Sequence, residues 1–143
     1  MRLWSRIAVV LAFVPLVASA QFNDLDAALQ NLTRGFGSGD PQAVVAGVVP
    51  GDKVMLQFPG LVTENGFFGR DQAAYLLDGL FNKVKPTGFE EQKAVKSTAE
   101  QQYHITGTWT IQNAGKAETR ELYITLKQKG DSWSVVSIRS AGK

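Results

Sequence analysis

Between Ala73 and Val84 the apolar residues Ala73, Leu76, Leu77, Leu80, Phe81 and Val84 fall at three- and four-residue steps. That spacing places them on one face of an α-helix, and Pro86-Thr87-Gly88 closes the pattern. Burying each large side chain contributes about 1.5–3 kcal/mol relative to exposure, so this helix has to lie on a second apolar surface. The chain supplies one downstream, where the period changes to two. Tyr103, Ile105, Gly107, Trp109 and Ile111 alternate with His104, Thr106, Thr108 and Thr110, and Leu122, Ile124 and Leu126 repeat the pattern. Asn113-Ala114-Gly115-Lys116 and Gly130-Asp131-Ser132 carry turn chemistry, the second leading into a strand from Trp133 to Arg139. Strands with one apolar and one polar face suit a sheet covered by helices on one side only.

The first half of the chain supplies more of that cover. Phe22, Leu25, Leu29, Leu32 and Phe36 form a helical stripe, with Asn23 or Asp24 available as a cap and Gly35-Phe36-Gly37-Ser38-Gly39 as its stop. Asp40-Pro41 opens a short helix to about Gly47, Asp offering a capping oxygen and Pro sitting where no N–H is needed. Val54, Leu56 and Phe58 mark a strand closed by Pro59-Gly60. A second strand is expected from Leu61 to Phe68 with a kink at Asn65-Gly66, and another from Phe89 to Ser97. Helix, helix, strand pair, helix and a closing four-strand meander define an α+β domain.

The N-terminus has a different character. Met1-Arg2-Leu3-Trp4-Ser5-Arg6 is basic, Ile7 to Val17 is apolar apart from Pro15, and Ala18-Ser19-Ala20 offers small residues to a signal peptidase. This is the layout of a secretory signal peptide, with cleavage expected between Ala20 and Gln21. A membrane-spanning helix needs about 20 mostly apolar residues, and the uncharged stretch from Ile7 to Asn23 is shorter and holds a proline. The expected products are a cleaved leader at 1–20 and a single exported domain at 21–143, periplasmic or secreted and bacterial in style, with no membrane attachment after cleavage.

Cleavage alters the electrostatics. Arg2 and Arg6 leave with the leader and no acid goes with them, so 15 basic residues become 13 against 13 acidic ones. A neutral domain has no overall field for nucleic acid or an anionic membrane. Lys83, Lys85, Lys93 and Lys96 form the densest basic run, but Glu90 and Glu91 sit within it, as on a solvated surface. The absence of cysteine excludes disulfides and thiolate metal sites. One histidine and scattered carboxylates give no metal-ligand set, and no cofactor is implied.

The order of elements, with Gly39-Asp40 between the first helices, Gly69-Arg70-Asp71-Gln72-Ala73 opening the third and Gly130-Asp131-Ser132-Trp133 before the last strand, resembles the nuclear transport factor 2-like superfamily. That superfamily includes ketosteroid isomerases and SnoaL-like polyketide cyclases. The run Asp52 to Gly60 and the closing strands look most like a secreted bacterial family, domain-of-unknown-function family 4783. The resemblance implies a cone-shaped fold in which a curved antiparallel sheet wraps three helices, often with an apolar ligand in the open end. In the isomerases a carboxylate base works with a Tyr and a protonated Asp. The resemblance puts the Tyr position near Leu32, the base at Phe58 and the second acid within Leu122 to Leu126, whose apolar side offers only Leu and Ile.

Among the remaining candidates, His104 is the sole histidine but shares the Thr-rich face. Glu90 and Glu91 point to opposite faces of a strand and form no acid–base couple. Gly35 to Gly39 follows a helix and lacks a phosphate-loop lysine. Phe58, Tyr75, Tyr103, Trp109, Ile124 and Trp133 are either the lining of a pocket or plain core. The outer face, with its threonines and Tyr123, is either a wet surface or the face through which superfamily members often pair. The expected function is an exported, non-catalytic domain binding a small apolar molecule or a partner, with a homodimer through the outer sheet face. The alternative is an isomerase-, cyclase- or hydrolase-type enzyme acting on an apolar small molecule within the cone.

Overall fold

The computed structural model describes residues 24–141. Three helices, α1 (Asp24–Ser38), α2 (Pro41–Val45) and α3 (Arg70–Lys83), lie with six strands. The strands are β1 (Lys53–Gln57), β2 (Gly66–Gly69), β3 (Val84–Ser97), β4 (Gln102–Asn113), β5 (Lys116–Lys129) and β6 (Ser132–Ser140). They form one sheet in the order β2-β1-β6-β5-β4-β3. All neighbours are antiparallel except β1 and β6, which run parallel. The expected α+β architecture, with three helices on one side of a curved sheet, is the one observed. Phe22 and the residues around the Ala20–Gln21 junction lie outside the described residues.

The helices meet the sheet through the faces that their periodicity marks. Leu32 and Phe36 of α1, Ala73, Leu77, Leu80 and Phe81 of α3, and the inward rows of β4, β5 and β6 form one continuous core. Asp40 caps α2, its Oδ1 accepting from the amides of Gln42 (3.1 Å) and Ala43 (3.4 Å). That helix ends at Val45 rather than Gly47.

Three further boundaries differ from the sequence expectation, each for a local reason. Helix α1 continues through Gly35 and Gly37 and stops at Gly39, whose φ of 79° a larger residue rarely adopts. Gly35 is there for proximity: a Cβ on it would lie 2.4 Å from Val44 Cγ2, so glycine lets α1 and α2 cross closely. Strand β3 begins at Val84 instead of Phe89, taking the end of the α3 stripe and Pro86 into the sheet. Proline is tolerated because β3 is an edge strand, and its register slips between Pro86 and Gly88 and again between Glu91 and Lys93. Strand β2 covers only Gly66–Gly69. The amides of Leu61 and Val62 turn back to the Phe58 carbonyl, both at 3.0 Å, which holds the segment after Phe58 out of the sheet.

Candidate functional site

The interior of the cone is built from aromatic rings. The Phe36 ring packs edge-on against Trp109 (5.5 Å between centroids) and Phe81 (5.7 Å), and tilted against Phe89 (6.1 Å) and Phe58 (6.5 Å). Trp109 also meets Phe58 and Phe81. Such pairs add about 0.5–1.5 kcal/mol each beyond simple burial. The Trp109 indole N–H donates to the Phe36 carbonyl at 2.8 Å. That carbonyl belongs to the last turn of α1, where no amide of the helix remains to satisfy it. The sheet thus caps the helix, and the indole finds the partner a buried N–H requires.

The residues named from the sequence as pocket lining separate into three groups. Phe58, Trp109 and Ile124 are fully buried and packed together with the rest of the core. Tyr103 and Trp133 are half-buried and meet edge-on at 6.2 Å near the N-terminal half of α1. There Trp133 borders a shallow depression of about 270 Å³ with Ala27, Asn31, Val48 and Pro50. Tyr75 points away from the core and is 83% exposed. Leu32, Phe58, Leu122, Ile124 and Leu126 place only buried apolar side chains in the interior.

Sequence reading stopped the inward row of β5 at Leu122, and the row continues. Arg120 pairs across the sheet with Trp109 and is buried. Its Nε donates to Glu118 Oε2 at 2.6 Å and its Nη1 to the Pro59 carbonyl at 2.7 Å. Asn113 Nδ2 holds the other Glu118 oxygen at 3.2 Å. The Lys83 ammonium donates to the Leu61 carbonyl at 3.0 Å. Two cations therefore strap the 59–61 turn across this end of the core. The signal was in the sequence: Glu118, Arg120 and Leu122 share one parity on a strand.

The outer face is semi-polar. His104 Nδ1 lies 3.2 Å from Thr125 Oγ1, and the Arg139 guanidinium sits 5.6 Å from the centre of the Tyr123 ring. The Tyr123 hydroxyl donates to Glu121 Oε1 at 2.6 Å. That hydrogen bond, with the negative charge of Glu121, raises the Tyr123 pKa, while Arg139 opposes the rise. One row of register partners crosses the whole sheet: Phe67, Met55, Ser137, Thr125, His104 and Val95. Its two ends are exposed apolar residues, Phe67 at 69% and Val95 at 46%.

The model of the family described as "Domain of unknown function (DUF4783)" matches residues 29–140, nearly all of this architecture. The chain belongs to the DUF4783 family. A DUF4783 family protein from Bacteroides ovatus superposes with a TM-score of 0.65 at 22% identity, covering 79% of this chain and 92% of that one. An NTF-2 like protein of unknown function from Shewanella oneidensis gives 0.59 at 16%, covering 85% and 98%. A hypothetical protein with ketosteroid isomerase-like fold from Catenulispora acidiphila, solved in complex with trimethylamine, gives 0.61 at 10%, covering 80% and 83%. These likenesses establish the nuclear transport factor 2-like fold of the DUF4783 domain. No curated protein matches its sequence significantly. Among the described residues no helix is long and apolar enough to cross a membrane, and no three metal-ligating side chains cluster.

Proposed function

We propose that this DUF4783 domain is exported after cleavage at Ala20–Gln21 and acts as a non-catalytic binding module, pairing with a second copy through the outer sheet face. The observation that carries this reading is the filled interior. Phe36, Phe58, Phe81 and Trp109 are packed ring to ring where a guest would sit. An isomerase, cyclase or hydrolase would need polar groups at interior positions that hold Leu32, Phe58 and Leu122 to Leu126. The same packing favours a macromolecular partner over an apolar small molecule. Supporting the pairing, the cross-sheet row sets Met55, Ser137, Thr125 and His104 between two exposed apolar ends. A two-fold interface can use such a row twice.

The test is native mass spectrometry of protein isolated from its exported fraction, with sedimentation equilibrium beside it. A dimer of chains beginning at Gln21, without retained small molecule, is expected. Thr106→Glu, at the centre of the face, should return it to monomer. A monomer carrying a reproducible noncovalent mass would overturn the reading.

A further inference from the structure

A trough runs between helix α3 and the segment from Leu61 to Phe68. It comprises two depressions, of about 410 Å³ and about 340 Å³, that share Glu64, Tyr75 and Leu76. Val62 and Leu80 line the first and Phe68 the second. Along α3 the lining extends from Asp71 to Lys83, about 18 Å of helix at 1.5 Å per residue. Five or six extended residues cover about the same distance, with alternate side chains falling on the same side. Two depressions joined at a waist thus match two same-side side chains of a strand.

The rim selects the charge of the occupant. Glu64, Asp71 and Asp78 are exposed on it, and none has an ion-pair partner among the described residues. The one lysine, Lys83, spends its ammonium on the Leu61 carbonyl. Nucleic acids and anionic lipid surfaces are repelled by such a rim. The trough also abuts β2, which ends the sheet with no strand beyond it among the described residues. The two sheet edges differ in kind. Strand β3 carries Pro86, two register slips and several charges, devices that discourage a further strand. Strand β2 is Gly66-Phe67-Phe68-Gly69, uncharged and in regular register with β1.

We infer that this trough binds an extended segment of a partner protein in which apolar side chains alternate with lysine or arginine, laid along the free edge of β2. The apolar side chains enter the depressions beside Phe68, Leu76 and Val62, the Tyr75 ring closes over them, and the cations meet Glu64, Asp71 and Asp78. Main-chain groups of the segment pair with β2, as in other strand-addition complexes. The trough lies beside helix α3, away from Thr106 at the centre of the outer face, so occupancy of the trough is read separately from pairing of two copies in Thr106→Glu.

The probe is a six-residue blocked peptide alternating lysine with phenylalanine and valine, titrated into isotope-labelled residues 21–143 and followed through backbone amide shifts. Its counterpart carries glutamate in place of lysine. Shifts confined to Leu61–Glu64, Gly66–Gly69 and the Asp71 to Lys83 stretch of α3 are expected, and the glutamate peptide should leave them unchanged. Tyr75→Ala, at a position too exposed to disturb folding, should weaken binding about tenfold, as loss of an aromatic anchor does. The pair Glu64→Lys and Asp78→Lys should weaken it similarly and flatten its salt dependence. Equal binding of the two peptides, shifts along β3 instead, indifference to Tyr75→Ala, or no shift at millimolar peptide would each overturn the inference.

Discussion

Replacing Trp109 by phenylalanine tests the assignment of this ring as the post that joins helices to sheet. The substitution leaves an aromatic ring to face Phe36, Phe58 and Phe81 but removes the N–H that satisfies the Phe36 carbonyl at 2.8 Å. Trp109 is fully buried, so water cannot readily replace that donor, and an unsatisfied buried acceptor costs about 1–3 kcal/mol. The smaller ring leaves a void of about 40 Å³, worth about 1 kcal/mol at about 24 cal/mol per Å³. The sum is a loss of about 2–4 kcal/mol, a large share of the stability of an ordinary domain. Urea unfolding of residues 21–143 is the assay, with the midpoint falling and the slope unchanged. Trp133→Phe, at a half-buried ring, is the control and should cost under about 1 kcal/mol. A loss at Trp109 below about 1 kcal/mol, or no larger than that of the control, would refute the reasoning.

Two other outcomes follow from the same geometry. Arg120→Ala removes the cation beside Glu118, which keeps the Asn113 amide, and frees the Pro59 carbonyl; breaking a buried pair costs about 3–5 kcal/mol, and the partial exposure of Glu118 (18%) with its remaining amide partner sets the expected loss near the lower end. Faster amide exchange at Leu61 and Val62 should accompany it, and unaltered exchange there would rule out the strap. The Tyr123 phenol should titrate at higher pH in the native protein than in Glu121→Gln, because the carboxylate that accepts its proton is gone in the variant. The neutral phenol is the form favoured by folding, so this contribution is fully present below the unfolded phenol pKa and is lost as pH rises through the raised folded value. Ultraviolet titration against Tyr123→Phe reads it directly, and identical curves for the native and Glu121→Gln proteins would contradict the assignment.

Much of the architecture was legible because period is a local property. The α3 stripe and the alternating rows of β4 and β5 each mark one buried face without reference to anything distant, and Asp40-Pro41 and Asn113-Ala114-Gly115 carry their cap and turn in their own chemistry. The errors fell where a distant element overrides a local signal. Pro86 reads as a stop, yet an edge position accepts it. Gly35 reads as a helix terminator, yet a crossing helix requires its missing Cβ. Arg120 reads as a solvated charge, yet Pro59, 61 positions earlier, supplies the carbonyl that lets it be buried.

The sequence by itself therefore determined the class of fold and the apolar faces, both written in spacings of a few residues. Only the tertiary structure decided whether Phe58, Trp109 and Ile124 line a space or fill one. Filling depends on whether rings brought from α1, α3, β3 and β4 interlock, and that is a matter of relative position among elements rather than of residue type. It likewise decided that Tyr75, a member of the same candidate set, faces outward beside Glu64, Asp71 and Asp78, which lie 11, 4 and 3 residues from it in sequence, because the turn after Phe58 folds Glu64 back against α3.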